Sequence, residues 1–360
     1  MSKKKIFISA VVLTLLAALV YLQIRTWQRF DWQKFWAVTK ETSFAYLLLG
    51  TALIYIDYVL RALRWKILLR PVCQARTSQL VAPTLIGFTG LALLGRPGEF
   101  IRPYLIARRQ GLSMSSQAAV WTVERIFDSG AFALMTSVNI LIAGAQLKTL
   151  PGFVHAPKAF LEFQISGAVL LVGVATVALF AYLVKKNPER IADFMGRIPG
   201  RISERAGQAV SHRVQAFGKG LNTIQDIKSF FQLCGLSLAI WLIIGFSYLA
   251  VIHAYQIHRH AEMSFSNVLL LTAASVVGGV LQLPVVGGGS QLATIGVLHG
   301  VFAFSPELST SCGMMLWLVT FMSVIPAGLS LTHREHVSLT RLEEESEAET
   351  MEGKALEARK

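Results

Sequence analysis

The sequence predicts an all-α, polytopic membrane protein, and three observations carry that prediction. The 360-residue chain is 53% hydrophobic and only 15% charged, with a mean hydropathy of +0.52. Its apolar residues gather in runs near the length that crosses a bilayer, about 20 residues. Its basic residues concentrate in alternate loops, the asymmetry expected when positive charge stays on the cytoplasmic side. A soluble globular chain of this length does not sustain such runs.

Runs at 6–24, 44–63, 117–145, 164–184, 231–254 and 311–332 predict six full spans. The first follows Lys3, Lys4 and Lys5, and Arg25, Thr26 and Trp27 come after it with no small-x-small cleavage site. It therefore reads as a retained span with the N-terminus inside, not as a signal peptide. Residues 25–43 carry Trp27, Phe30, Trp32, Phe35 and Trp36 among four basic residues, which suggests a helix lying in the membrane interface.

Two further regions are apolar but broken. The run 78–94 is followed by Gly95-Arg96-Pro97-Gly98-Glu99-Phe100-Ile101-Arg102-Pro103 and a half-apolar stretch ending in Arg108 and Arg109. The run 266–304 is split at Pro284, Gly287, Gly288 and Gly289. Irregular backbone survives at membrane depth only where protein or a water-filled cavity satisfies it, so both regions predict re-entrant hairpins. With this layout 26 basic residues fall on the cytoplasmic side, both termini included, and 7 on the other.

The order span, span, hairpin, span then occurs twice, the second time inverted. Paired broken segments at matching places in two halves point to a transport site. The symmetry is one of hydropathy, without residue-level repetition.

Between the halves, residues 185–230 alternate basic and apolar positions, including Arg197, Arg201 and Arg205, and predict an amphipathic helix resting on anionic headgroups. Residues 333–360 form a polar cytoplasmic tail with eight acidic and five basic residues. The net charge of +13 is explained by basic inner loops, so no nucleic-acid partner is inferred. Cys73, Cys234 and Cys312 lie far apart and indicate neither a disulfide frame nor a zinc site.

Charge inside the spans is the feature that points to function. Asp57, Arg61 and Arg64 line one face at the cytoplasmic end of the second span, with Trp65 at interface depth. They read either as a positive-inside anchor or as a guanidinium pair gripping a lipid phosphate. Arg96, Glu99 and Arg102 sit in the first hairpin, a place able to hold an anionic headgroup or a solvated cytoplasmic turn. Glu124, Arg125 and Asp128 occupy a span where each ionised group costs roughly 3 kcal/mol, so they need partners or a role. Glu124 and Asp128 share a face, Arg125 can reach Asp128 three residues on, and Arg96 or Arg102 is the expected hairpin partner. Gly287, Gly288 and Gly289 with Pro284 give a flexible hairpin tip or a tight helix crossing, with Gln291 beside it. No Walker, GxSxG, HExxH or dinucleotide fingerprint is present, so no enzyme activity, cofactor or metal is expected.

At these residues the chain resembles the flippase-like, or lysylphosphatidylglycerol synthase transmembrane region, family. The resemblance rests on Arg61-x-x-Arg64-Trp65, on Gly95 through Pro103 with Arg108, on Glu124-Arg125-x-x-Asp128 and on Pro284-x-x-Gly287-Gly288-Gly289. It covers most of residues 1–332; Gln291 stands near the place where members typically carry an acidic residue. The resemblance implies movement of a phospholipid or polyprenyl-linked lipid between leaflets of the inner membrane. The stretch after the last span is too short for a synthase domain. On that expectation Arg61, Arg64, Arg96 and Arg102 capture the phosphate, Glu99 is counted among the substrate-binding residues, and Glu124, Arg125 and Asp128 line the path. Pro284, Gly287, Gly288, Gly289 and Gln291 gate the exit. A membrane-embedded polyprenyl-phosphate glycosyltransferase and a non-transporting partner subunit remain the alternatives, and an oligomer is compatible with each.

Overall fold

The computed structural model describes residues 30–201, 203–205, 207–211, 214, 226–255, 263–279 and 288–334. The expected first span, the tip of the second hairpin with Pro284 and Gly287, and the tail lie outside the described residues. Every regular element described is helical.

Helix α1 (Trp32–Lys40) begins where the Asp31 carboxylate accepts hydrogen bonds from the backbone of Gln33 and Lys34, both at 3.0 Å. Phe35 turns inward while Trp32 and Trp36 stay about half exposed, the division expected of an interfacial helix. Helix α2 (Phe44–Leu69) spans 26 residues and packs along α10 (Ile227–Ala254) more extensively than any other pair of helices. Gly50 permits this approach, and the Ser247 hydroxyl donates to its carbonyl at 2.9 Å.

The first broken region folds back on itself. Helix α3 (Thr77–Leu94) ends at Gly95, whose φ of 75° lies in the region glycine favours. A single 3₁₀ turn (Arg96–Phe100), started by Pro97, leads into α4 (Ile101–Gln110). The returning chain lies in backbone contact with α3. A Cβ on Gly87 would sit 2.5 Å from the Cβ of Arg102, and one on Gly98 would collide with the backbone of Gly90. Helix α3 is 18 residues long and apolar enough to cross a membrane by itself, whereas α4, with ten residues, is not. The region is thus a hairpin of one long arm and one short arm.

Helix α5 (Met114–Ile142) starts at Ser113, whose hydroxyl accepts from the Ser116 backbone. Short helices α6 (Gly144–Leu147) and α7 (Pro151–His155) lead to α8 (Pro157–Lys186), largely exposed along its length. Helix α9 (Pro188–Gly200) lies in the amphipathic region, with Arg197 outward and Ala192 buried. Asp226 caps α10, and hydrogen bonding from Ser229 holds its carboxyl below the usual range.

Helices α11 (Phe265–Gly278) and α12 (Gly288–Gly300) form the second hairpin, its arms touching where Gly278 meets Gly289. The last span breaks into α13 (Pro306–Trp317), a π turn (Leu318–Met322) and α14 (Ile325–Arg334). Pro326 lacks the N–H that the carbonyl of residue 322 would accept, which accounts for the irregular turn. The six helices long and apolar enough to cross are α2, α3, α5, α8, α10 and Pro306–Arg334. Five coincide with expected spans; α3 is the sixth.

Each hairpin packs against two spans. The first hairpin packs on α2 and α5, and the second on α10 and α13. Each half's last span then reaches the other half's hairpin. Asn139 of α5 and Ser266 of α11 exchange hydrogen bonds, and Gly328 of α14 lies directly against Thr89 of α3.

Candidate functional site

Seven charged side chains from α2, α4 and α5 converge in one cluster. Arg61 Nε donates to Asp57 Oδ2 at 2.8 Å, the one-turn pair that their spacing predicts. Arg64 is wholly buried and forks between the two carboxylates of α5. It donates to Glu124 Oε1 at 2.8 Å and to Asp128 Oδ1 at 2.9 Å. Its Nη1 also donates to the Ser237 hydroxyl of α10 at 2.9 Å. The planar guanidinium suits this fork because its donors are fixed in direction on separate nitrogens, whereas an ammonium is a compact point charge.

The hairpin closes the other side. Arg102 is 4% exposed and pairs with both oxygens of Glu124. Its guanidinium lies 4.3 Å from the centre of the Trp65 ring and 5.4 Å from that of Phe88. Gly87 lets the backbone of α4 approach closely enough for this reach. Trp65 is completely buried, and its indole N–H donates to Gln117 at 3.1 Å. A second indole, Trp241, donates to the backbone carbonyl of Asp128 at 2.9 Å and ties α10 to the same turn of α5.

Arg125 differs from its neighbours. Its side chain is 37% exposed, and its approaches to Asp128 (3.5 Å) and Glu124 (3.7 Å) are longer than those of Arg64. Its Nε is buried without a hydrogen-bond partner among the described residues, as is Asp57 Oδ1. Arg125 lines a cleft with Gly87, Phe88, Leu91, Glu99, Arg102 and Trp121. The free space inside is about 30 Å³, enough for about two water molecules. A lipid headgroup does not fit there without movement of the hairpin.

The sequence-predicted residues thus separate. Arg61, Arg64, Glu124, Arg125 and Asp128 meet, joined by Arg102 and not by Arg96, which is exposed at the start of the 3₁₀ turn. Glu99 faces the same cleft. Gly288, Gly289 and Gln291 belong to the second hairpin, Gly288 buried and the other two half-buried. There the polar groups are hydroxyls: Tyr248 donates to Ser275 at 2.8 Å, and Ser275 meets Ser290 at 3.3 Å. Among the described residues no three His, Cys, Asp or Glu side chains are placed to hold a metal ion.

Sequence reasoning missed Ser237, Phe88, Trp121 and Trp241 as parts of this site. A serine or tryptophan in an apolar helix carries no signal of which charge it will meet. Gln117, four residues before Trp121, was the available hint, since a buried amide needs partners.

No curated protein and no solved structure matches the chain. The sequence profile described as the Lysylphosphatidylglycerol synthase TM region matches residues 6–328, and the chain belongs to that family of multi-pass membrane proteins.

Proposed function

We propose that the protein is a translocase that moves a phosphate-bearing lipid, a phospholipid or a lipid-linked precursor, between the leaflets of the cell inner membrane. Both termini are on the cytoplasmic side. The observation that carries this reading is the cleft in which the loosely held Arg125 opens onto a buried cluster of guanidinium and carboxylate groups. Glu124 lies about 15 Å along α5 from its first residue, near half the thickness of a bilayer core. Charges at such depth mark substrate paths more often than packing devices.

In this mechanism the first hairpin is the moving part. A headgroup phosphate enters from the cytoplasmic face past Arg96 and competes with Glu124 and Asp128 for Arg125 and Arg102. As it does so, the hairpin loosens from α5 and the cleft widens. Arg61 and Arg64 keep the carboxylates of α5 neutralised meanwhile. The second hairpin, with the hydroxyls of Ser275 and Ser290 between its arms, is the opposite gate. Exchange of access between the two inverted halves completes the passage.

The test is a leaflet assay in vesicles containing the purified protein and a fluorescent phospholipid. Protein-dependent exchange, slowed at least ten-fold by Arg125→Gln in a variant that still folds, supports the reading. Exchange no faster than in protein-free vesicles, for glycerophospholipid and polyprenyl phosphate alike, rejects it.

A further inference from the structure

The geometry points to a zwitterionic headgroup, a phosphodiester joined to a cationic nitrogen, as the ligand of the cleft between the first hairpin and α5. This deepens the reading of that cleft as a headgroup port and rests on it.

The inference follows from charge balance. Arg61, Arg64, Arg102 and Arg125 are matched by Asp57, Glu124 and Asp128, leaving one positive charge in the buried cluster. Glu99, on the lip of the same cleft, supplies the fourth negative charge and makes the eight groups neutral together. It takes part in none of the ion pairs formed among the described residues. A purely anionic headgroup would carry a net charge into a largely buried site whose own charges already balance, which is costly. A zwitterion brings none.

The two arginines and Glu99 also have different partners: Arg102 and Arg125 pair with the carboxylates of α5, whereas Glu99, on the 3₁₀ turn between the hairpin arms, makes no ion pair with either among the described residues. Arg125 has a buried, unpartnered Nε, a donor available to a phosphate oxygen. Glu99 is an acceptor available to a nitrogen cation. Arg102 already stacks against Trp65 and Phe88, and Glu99 is the carboxylate that offers the nitrogen an opposite charge, beside the Trp121 ring on the same cleft.

Glu99 would therefore set specificity, and Arg125 affinity. The experiment is native mass spectrometry of the full chain in detergent, with equimolar phosphatidylethanolamine, phosphatidylcholine and phosphatidylglycerol competing for retention. The wild type is expected to retain one or both zwitterions at least five-fold over phosphatidylglycerol, and the two zwitterion arms distinguish a primary from a quaternary nitrogen. Glu99→Gln should bring the ratio to about one while total retention persists, and Arg125→Gln should reduce retention of all three. Equal or greater retention of phosphatidylglycerol by the wild type, or an unchanged ratio in Glu99→Gln, overturns the assignment. Selective retention without leaflet exchange in vesicles would leave this site standing and defeat only the translocase.

Discussion

Arg64 and Glu124 meet at 2.8 Å across 60 residues of sequence, and neither side chain has any exposed surface. The second oxygen of Glu124 takes Arg102, so this one carboxylate joins α2, the hairpin and α5. Removing a single partner from such a pair leaves an uncompensated buried charge, which is far costlier than removing both. Arg64→Met is therefore expected to destabilise the protein by about 3–5 kcal/mol. Thermal unfolding in detergent measures this. Arg64→Lys should recover only part of the loss, because an ammonium cannot reach Glu124, Asp128 and Ser237 together.

The backbone contact between the hairpin arms makes a second prediction. A methyl group at Gly98 has no room against Gly90, so Gly98→Ala should cost about 1–3 kcal/mol through overpacking. Gly130 lies on α5 with nothing near its missing side chain. Gly130→Ala should leave the midpoint unchanged or slightly raised, and equal losses in the two variants would argue against the packed hairpin.

Trp65 supports Arg102 in two separable ways. Trp65→Phe keeps a ring beneath the guanidinium but loses the hydrogen bond to Gln117, a cost of about 1 kcal/mol. Trp65→Leu loses both the ring and volume at a fully buried position, and should cost about 3 kcal/mol. Denaturation midpoints of the two variants against wild type measure the difference.

The cysteines give a test that needs no substitution. Cys73 and Cys234 are half-buried and Cys312 is 1% exposed, all three as free thiols. Maleimide applied to the native protein in detergent should modify Cys73 and Cys234 well before Cys312, with unfolding bringing the third into reach. Mapping the labelled peptides by mass spectrometry decides it.

The spans were legible because a bilayer imposes a length and a composition that a chain cannot hide. The pairs at one-turn spacing were legible as well: Asp57 with Arg61 and Arg125 with Asp128 lie on single helices, where periodicity alone sets the distance. The full burial of Trp65 was not legible, because it depends on the returning hairpin, where Arg102 lies 37 residues further on. The length of α3 was also underestimated in role. Its 18 residues suffice to cross, and only its contact with α4 shows that it is one arm of a hairpin.

Composition and periodicity by themselves determined an all-helical membrane protein, its two broken regions and the family's charged motifs. Which charges meet was decided by the fold alone. Arg64 could have faced lipid phosphate, solvent or carboxylate with the same sequence around it. The crossing of α2 with α5 and the close approach at Gly87 bring acid and base within hydrogen-bonding distance. At low dielectric an ion must find a partner, and which one it finds depends on three-dimensional packing.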